Sequence, residues 1–411
     1  MKMVKYTRQD VDEMTLEQIK EAARALEGVV RRTDLVEAPR IHPEGQVYLK
    51  PENLQVTGSF KVRGAYHKIS RLSEEEKKKG VIACSAGNHA QGVALAAAKS
   101  GIPALICIPE GAPISKVEAT KSYGAQVRLV KGVYGDAYRE ACRLQKESGA
   151  VFIHPFDDPD VIAGQGTVGL EIMEQLPDAD AVIVPVGGGG LISGVACAVK
   201  SLRPQCRVYG VQVTGAPSMA RALRNKKIEP LPRVSTFADG IAVKCPGQLT
   251  YGMCEKYVDE IVTVTDDETA AAILALMEQH RLIAEGAGAV AVAAAMFNRV
   301  DVRGKKTVCL VSGGNIDVTI LSRVISRGLT RAGRQGRLVI ELVDKPGELR
   351  EVSAVIAELG GNVISVRHDH SGDEADITAC TLSIGVETRD RDHLNRIRDA
   401  VVRAGYRILD S

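Results

Sequence analysis

Short apolar runs alternate with longer segments of helical spacing along most of the chain. Each run is followed by a turn containing glycine and then by a segment whose apolar positions recur at helical intervals. Strands that alternate with helices in this way predict βαβ units, parallel sheets buried on both faces, and binding sites at the carboxyl ends of the strands. The predicted strands are residues 47–50, 81–84, 104–108, 126–130, 151–153, 181–186, 208–213 and 307–311, and helices are predicted at residues 8–33 and 61–71.

The alternation ends near Arg327, and a stretch rich in glycine and arginine follows at residues 329–336. Such a stretch is typical of a linker or domain boundary. Beyond it, residues 337–411 show the order strand, helix, strand, strand, helix, strand, which is the ferredoxin-like pattern. We therefore predict one large α/β domain over residues 1–328, a linker, and a small α+β domain.

Charge and composition exclude several classes of protein. The 411 residues include 53 basic and 51 acidic side chains, and this near balance argues against a nucleic-acid or membrane-surface partner. The apolar, uncharged stretch at residues 286–297 is well short of the roughly 20 apolar residues that cross a membrane. The first eight residues precede no apolar signal core, so we expect a cytosolic protein.

Nine cysteines are scattered along the chain without a Cys-x-x-Cys pair. Several of them, such as Cys84, Cys107, Cys309 and Cys380, lie in strand-like apolar runs. This distribution favours small buried side chains in a reducing compartment over disulfides or metal ligands. We expect no metal site.

Lys61 lies between two apolar residues in Gly58-Ser59-Phe60-Lys61-Val62-Arg63-Gly64. Flanking apolar side chains favour partial desolvation, which lowers the pKa of an amine towards the range where it attacks carbonyl groups. The same seven residues also fit a surface lysine at the start of a helix. Motifs elsewhere in the chain are needed to distinguish a reactive lysine from a surface lysine.

Two loops after predicted strands are suited to bind anions. The loop at residues 85–92 begins with Ser85-Ala86-Gly87-Asn88-His89 and offers N–H groups at a helix N-terminus, which suits a carboxylate but equally fits an ordinary capped turn. Gly187, Gly188, Gly189 and Gly190 lie between a buried strand and an apolar helix, where a flexible linker is rare and a phosphate loop is favoured. Their spacing fits neither a dinucleotide fingerprint nor a Walker loop.

A third loop, Ser312-Gly313-Gly314-Asn315, follows the last predicted strand of the large domain. The hydroxyl of Ser312 could bond a heteroaromatic nitrogen, or it could cap a helix. One lysine, one anion loop, one phosphate loop and one hydroxyl, all at strand ends, suggest a phosphorylated aldehyde held as a Schiff base. Pyridoxal phosphate meets that description.

Five motifs together resemble the threonine ammonia-lyase family of fold type II pyridoxal-phosphate enzymes. They are residues 58–65, 85–92, 163–167, 187–190 and 312–315, and they occur in the family's order. Residues 337–411, with Asp344-Lys345-Pro346-Gly347-Glu348-Leu349, resemble an ACT regulatory domain. The resemblance implies an α/β fold with two parallel-sheet subdomains, similar to the tryptophan synthase β subunit, with the smaller one at about residues 54–153. A ferredoxin-like ACT domain would follow.

The resemblance also implies roles for individual residues. Lys61 would bind the aldehyde of the cofactor and catalyse the reaction, Phe60 would lie against its ring, and Asn88 would bond the ring hydroxyl. The four glycines would hold the phosphate, and Ser312 would face the pyridine nitrogen. The substrate carboxylate would bind at Ser85, Ala86, Gly87, Asn88 and His89. The implied reaction converts L-threonine to 2-oxobutanoate and ammonia, and L-serine to pyruvate.

Two departures bear on the closest rivals, which are a serine ammonia-lyase or a serine racemase on the same scaffold. Serine racemase carries a second serine where this chain has Ala86, and that serine acts as a base on the opposite face of the substrate. Its divalent metal is held by carboxylates just after a strand, whereas residues 212–218 here contain none. An amino-acid sensor without catalysis is the third alternative, which the intact motifs disfavour.

The ACT-like segment implies amino-acid control. Lys345, Pro346, Gly347 and Asn362 would face an effector, for which we prefer isoleucine or valine. A small domain that only dimerises or stabilises the chain is the alternative. Related enzymes are dimers or tetramers, so a homo-oligomer is expected, in either isoleucine synthesis or threonine degradation.

Overall fold

The computed structural model describes residues 6–369 and 379–409. The chain forms two compact units, Met1–Asp317 and Val318–Ser411. In its described residues, the first unit contains ten strands: β1 Val36–Glu37, β2 Gln46–Pro51, β3 Val81–Cys84, β4 Ala104–Pro109, β5 Gln126–Val130, β6 Val151–Phe152, β7 Ala181–Pro185, β8 Arg207–Val213, β9 Glu260–Val264 and β10 Lys306–Val311. Its helices are α1 Arg8–Glu13, α2 Leu16–Ala25, α3 Lys61–Ser70, α4 Glu74–Lys79, α5 Asn88–Lys99, α6 Ile114–Ser122, α7 Tyr134–Ser148, α8 Pro159–Gln175, α9 Gly190–Leu202, α10 Ser218–Asn225, α11 Gln248–Tyr257, α12 Asp266–His280 and α13 Gly286–Met296.

A six-stranded sheet in the order β1-β2-β10-β7-β8-β9 forms the larger layer of the first unit. All its pairings are parallel except β1 with β2. Strands β7 and β10 are neighbours, and Val308 of β10 pairs with Val182 of β7. The loops that follow these two strands therefore leave the sheet at the same edge. Those loops contain the glycine run and Ser312.

A four-stranded parallel sheet, ordered β5-β4-β3-β6, forms the second layer of this unit. Helix α3 packs against α5 and α8 with very short backbone separations. A Cβ atom on Gly164 would lie 2.6 Å from the Cα atom of Gly64, and one on Gly92 would lie 3.0 Å from the Lys61 carbonyl carbon. Only glycine permits this approach, which fixes the first turn of α3 beside the loop after β3.

The second unit contains helices α14 Val318–Arg331, α15 Glu348–Glu358 and α16 Arg391–Arg403, and strands β11 Gln335–Val343, β12 Asn362–Asp369, β13 Ala379–Glu387 and β14 Arg407–Ile408. Its antiparallel sheet has the order β12-β13-β11-β14. From β11 onward the elements follow the predicted βαββαβ order. The predicted linker, residues 329–336, contributes instead to the end of α14 and the start of β11, and the units divide earlier, after Asp317.

The fold class predicted from the apolar pattern is confirmed, and each predicted strand overlaps an observed one. The single helix predicted at residues 8–33 is wrong. The chain forms α1 and α2 there, because Thr7 and Thr15 each begin a helix with a capping box, and α2 ends at Ala25. Strand β9 was not predicted. Among the described residues, no helix combines the length and the apolar character that a membrane span needs.

Candidate active site

Lys61 is the first residue of α3, and its amine points to the segment after β6. The Nζ atom donates a hydrogen bond to the Pro155 carbonyl oxygen at 2.7 Å and lies 5.2 Å from the centroid of the Phe60 ring. Burial lowers the pKa of Lys61 to about 8, although the Glu285 carboxylate acts in the opposite direction. A fraction of the amine is therefore neutral near pH 7 to 8, as a nucleophile or base requires.

Asn88, the first residue of α5, connects three loops. Its Nδ2 atom donates to Glu285 Oε1 at 2.6 Å, and its Oδ1 atom accepts from Asn315 Nδ2 at 2.7 Å. The Asn315 amide also donates to the Thr57 carbonyl oxygen at 2.9 Å, just before the Lys61 stretch. The Asn88, Glu285 and Asn315 side chains thus form one hydrogen-bonded chain beside Lys61.

Glu285 is buried at the start of α13 and was not identified from the sequence. Burial, together with the carboxylate of Asp239, raises the pKa of Glu285 to about 7, and the hydrogen bond from Asn88 opposes that shift. The side chain is the acidic group that acts electrostatically on Lys61. The sequence signal that could have identified Glu285 is a carboxylate directly before an uncharged run of small residues. Polar residues are frequent at helix starts, and buried ionisable groups are frequent at active sites.

The glycine run forms a cradle between β7 and α9. A Cβ atom on Gly190 would lie 2.8 Å from the Cα atom of Phe156, and one on Gly188 would overlap the Phe156 ring. Gly189 has a φ of 100°, and the Thr250 hydroxyl donates to the Gly188 carbonyl oxygen at 2.7 Å. Phe156 follows Pro155, the hydrogen-bond acceptor of Lys61, so the cradle and the lysine are joined through two consecutive residues.

Ser312 is buried at the end of β10 and is held to the Lys61 stretch by backbone contacts. The Phe60 N–H donates to the Ser312 carbonyl oxygen at 3.2 Å, and Ser59 forms an isolated antiparallel bridge with Gly313. The Ser312 hydroxyl donates to the Ala287 carbonyl oxygen at 3.3 Å. It caps no helix in this structure, because α14 begins at Val318.

The predicted substrate loop lies between β3 and α5. The Gly87 N–H donates to Ser85 Oγ at 3.2 Å, and both Ser85 and Ala86 are partly buried. His89 is buried, its Nε2 atom lies 2.9 Å from the Ile153 carbonyl oxygen, and burial with the nearby Lys61 charge lowers the pKa of His89 to about 3. His89 is therefore neutral at physiological pH. The start of α5 therefore offers a carboxylate its backbone N–H groups and not a positive charge on His89.

A buried ionic network lies directly behind the Lys61 turn and was also not predicted. Arg63 Nη2 lies 2.8 Å from Glu52 Oε1 and Arg63 Nη1 lies 2.6 Å from Glu171 Oε1. Glu171 accepts a further hydrogen bond from Lys50 Nζ at 2.6 Å, and Thr33 donates to Glu52 at 2.7 Å. The network connects β2, α3 and α8 and fixes the backbone two residues beyond Lys61.

The residues present fit pyridoxal phosphate. The glycine cradle, which a side chain on its glycines would fill, packs against Phe156. Phe156 directly follows Pro155, which accepts a hydrogen bond from Lys61, an amine that can lose its proton. Beside that lysine, the buried Ser59 hydroxyl has no hydrogen-bond partner. The motifs predicted for the cofactor therefore meet at one place in the first unit. Lys61 would hold the aldehyde, the glycine run the phosphate, and Ser312 the pyridine nitrogen.

The four predicted effector residues lie in the second unit and do not meet within one chain. Asn362 pairs with Glu387, which pairs with Gln335 at the start of β11, whereas Lys345, Pro346 and Gly347 follow the end of that strand. The two ends of the nine-residue strand β11 are eight steps apart, so the two groups are separated by roughly 27 Å at about 3.4 Å per residue. Lys345 pairs with Glu348 at 3.0 Å, and Gly347 has a φ of 105°.

Comparison with known proteins agrees with this site. The model of the pyridoxal-phosphate dependent enzyme family matches residues 26–314, and an ACT domain model matches residues 332–404. An L-threonine ammonia-lyase of Thermotoga maritima is 52% identical over 397 residues, which cover 96% of this chain and 99% of that protein. The chain belongs to the family of pyridoxal-phosphate dependent enzymes and carries a C-terminal ACT domain.

Two solved structures share the fold. The processed form of threonine deaminase isoform 2 from Solanum lycopersicum has a TM-score of 0.73 and 37% identity, covering 79% of this chain and 95% of that one. Maize serine racemase has a TM-score of 0.72 and 37% identity, covering 77% of this chain and 98% of that one. The particular resemblance drawn from the five motifs, to threonine ammonia-lyases, is confirmed by the Thermotoga relative, which extends through both units.

Proposed function

We propose that this chain is an L-threonine ammonia-lyase that converts L-threonine to 2-oxobutanoate and ammonia, and L-serine to pyruvate. The observation that carries the proposal is the amine of Lys61, whose pKa of about 8 and whose contact with the segment beside the glycine cradle suit a residue that binds an aldehyde and moves a proton. Bound pyridoxal phosphate supplies an electron-withdrawing ring conjugated to the substrate nitrogen. The rest of the chemistry falls to the protein.

The substrate carboxylate binds the N–H groups of residues 85–89 at the start of α5, where the helix dipole favours an anion. This places the α carbon near Lys61, whose free amine removes the α proton. The β-hydroxyl leaves with a proton as water, and the resulting enamine hydrolyses to 2-oxobutanoate and ammonia. Ser312 is neutral and does not stabilise a protonated ring, so loss of the β-hydroxyl is favoured over a long-lived carbanion.

Ala86 supports elimination over racemisation. Racemisation needs a second base on the face opposite Lys61, and a methyl group at this position supplies none. Elimination needs only the base on one face, so it proceeds with Ala86. Maize serine racemase shares the fold at 37% identity, so the choice between the two reactions depends on residues of this kind and not on the fold.

The test is product formation by the holoenzyme from L-threonine, L-serine and D-serine, measured as 2-oxobutanoate or pyruvate and as ammonia. We expect L-threonine to give stoichiometric 2-oxobutanoate and ammonia, with little D-serine formed from L-serine. An Ala86→Ser variant should raise the ratio of racemisation to elimination. The proposal fails if wild-type enzyme makes no 2-oxobutanoate, or if it racemises serine faster than it eliminates.

We further propose that isoleucine or valine regulates the enzyme through Lys345, Pro346, Gly347 and Asn362. Because these residues lie at opposite ends of β11, one amino acid cannot touch all of them in a single chain. An effector site that uses both groups therefore needs two chains, which supports a homo-oligomer. Kinetics with and without each amino acid, on the full chain and on a chain ending at Asp317, test this. Identical curves for both chains would refute regulation through the second unit.

A further inference from the structure

Three metal-binding types of side chain meet at one end of the sheet in the second unit. Asp344 follows β11, His368 lies on β12 and Cys380 lies on β13. One ligand atom from each lies within 4.8 Å of the other two, and His368 Nε2 is 2.9 Å from Cys380 Sγ. The three donor atoms are one nitrogen, one oxygen and one sulfur. None of the three residues belongs to the site in the first unit.

The pairing of the strands explains why these residues meet. Cys380 pairs with Leu342 of β11, and His368 pairs with Leu382 of β13. Side chains two residues apart on a strand share a face, so Asp344 lies on the face of Leu342 and Cys380 on the face of Leu382. Cys380 and His368 are then diagonal neighbours on that face. No spacing in the sequence shows this arrangement, since 24 residues separate Asp344 from His368.

We propose that Asp344, His368 and Cys380 form a zinc site in the second unit. A thiolate, an imidazole and a carboxylate are the ligands that Zn²⁺ takes, whereas Ca²⁺ and Mg²⁺ require mainly oxygen. Tetrahedral ligands at about 2.3 Å for sulfur and 2.0–2.1 Å for nitrogen lie roughly 3.5 Å apart, so His368 and Cys380 separate by about 0.6 Å when the ion binds. Water fills the fourth position.

The charges at the site balance when zinc binds. The Cys380 thiol releases its proton to solvent as the Zn–S bond forms, so one thiolate and the Asp344 carboxylate neutralise the two positive charges of the ion. Cys380 is 2% exposed, and burial followed by the Asp344 and Glu348 carboxylates raises the pKa of its thiol. A divalent cation reverses that penalty by supplying the missing positive charge.

The site ties the ends of three neighbouring strands together. Zinc binding to the folded unit and not to the unfolded chain stabilises the folded unit in proportion to the logarithm of free zinc. Asp344 directly precedes Lys345, so the ion also fixes the start of the turn that we propose for the effector. The zinc site itself does not depend on the proposed catalytic function.

Zinc content of the full-length holoenzyme is the first test. The protein is treated with a chelator, equilibrated with ZnCl2, dialysed, and measured by mass spectrometry for zinc per chain. We expect wild type to retain one zinc more per chain than His368→Asn or Asp344→Asn. Both residues are exposed, so folding is not at issue. The affinity should fall more than about 100-fold, because outer-shell changes alone cost roughly 10- to 100-fold.

Cys142→Ser is the matched control for Cys380→Ser, because Cys142 is a partly buried cysteine in the first unit. Replacement of zinc by Co²⁺ should give a near-ultraviolet thiolate-to-cobalt band in wild type and in Cys142→Ser. Cys380→Ser should lack it. Equal zinc content in wild type and His368→Asn, or a cobalt spectrum unchanged by Cys380→Ser, would overturn the proposal. Competition by excess Mg²⁺ would likewise contradict the assignment to zinc.

Discussion

The two units of the chain use their interiors in opposite ways. The first buries charged and polar side chains behind its strand ends, among them Lys50, Glu52, Arg63 and Glu285. Among the described residues of the second unit, His393 is the only buried polar side chain besides the thiol Cys380, and its ring bonds to the Leu359 carbonyl oxygen at 2.9 Å. Both units are built on sheets covered by helices, so the difference does not come from the class of fold.

A buried charge costs several kcal/mol unless it is paired. The first unit keeps such groups where they hold or tune Lys61, and each charge of the Arg63 network has an oppositely charged partner within hydrogen-bonding distance. The second unit has an apolar core, and apart from His393 its described polar side chains are at least partly exposed. Buried charge therefore marks the candidate catalytic site, and substitutions in both units can test this difference.

Lys61→Ala should have the largest effect. It removes both the group that binds the aldehyde and the proposed base, so 2-oxobutanoate formation should fall by more than about 10⁴-fold, beyond the range for a lone acid–base group. The visible absorbance of the bound cofactor should disappear as well. Lys121→Ala, at an exposed lysine of α6, is the control and should retain full activity. If Lys61→Ala were active, Lys61 would not be the catalytic base, and the buried charges around it would not mark the catalytic site.

Arg63→Met should destabilise the first unit by about 3–5 kcal/mol, because it leaves Glu52 buried without its partner. The same change at Arg337, an exposed residue of β11 that donates to Ser383 Oγ at 2.7 Å, should leave the urea midpoint almost unchanged. Adding Glu52→Leu to Arg63→Met should recover part of the loss. If Arg63→Met and Arg337→Met lowered the free energy of unfolding equally, the proposed difference between the two units would be wrong.

Glu285→Gln should change how stability depends on pH. The carboxyl keeps its proton up to pH about 7 in the folded chain but loses it near 4.5 when unfolded. The folded state therefore binds more protons between these values, and stability falls as pH rises through that window. Wild type should lose roughly 3 kcal/mol relative to Glu285→Gln from pH 4.5 to 7, measured by denaturant unfolding. A constant difference between the two proteins would contradict the raised pKa.

Gly188→Ala should have the smallest of these effects and should act on cofactor affinity. Its Cβ atom would overlap Phe156, and overpacking costs about 1–3 kcal/mol, which corresponds to roughly 10- to 100-fold in the dissociation constant of pyridoxal phosphate. Gly111→Ala, where a Cβ atom meets open space, is the control. Fluorescence titration of the cofactor measures both. Unchanged affinity in Gly188→Ala would mean that the cradle does not hold the phosphate.

The sequence predicted what local pattern determines. Apolar runs gave the strands, and glycine and serine at strand ends gave the loops that meet around Lys61. The division of the first helix was also readable, because Thr7 and Thr15 begin capping boxes. Strand β9 was missed because its side chains are mostly half-buried, so its apolar run is short.

Partners that come from distant parts of the chain could not be predicted in this way. Glu285 lies 197 residues from Asn88, and Glu171 lies 108 residues from Arg63. Nothing in the spacing of these residues indicates that they meet, since the sheet order and the close packing of α3 on α8 bring them together. In the second unit, strand pairing likewise brings Asp344, His368 and Cys380 together, and their spacing in the sequence does not indicate it.

The acceptor for the Lys61 amine is a main-chain oxygen, that of Pro155. A backbone carbonyl is present whatever side chain occupies the position, so no single substitution at residue 155 can delete this contact. The orientation of the amine is therefore robust to mutation at its partner, although it is sensitive to any insertion or deletion in the segment after β6. Libraries for altered substrate preference can vary the side chain of residue 155 as long as they keep the length of that segment.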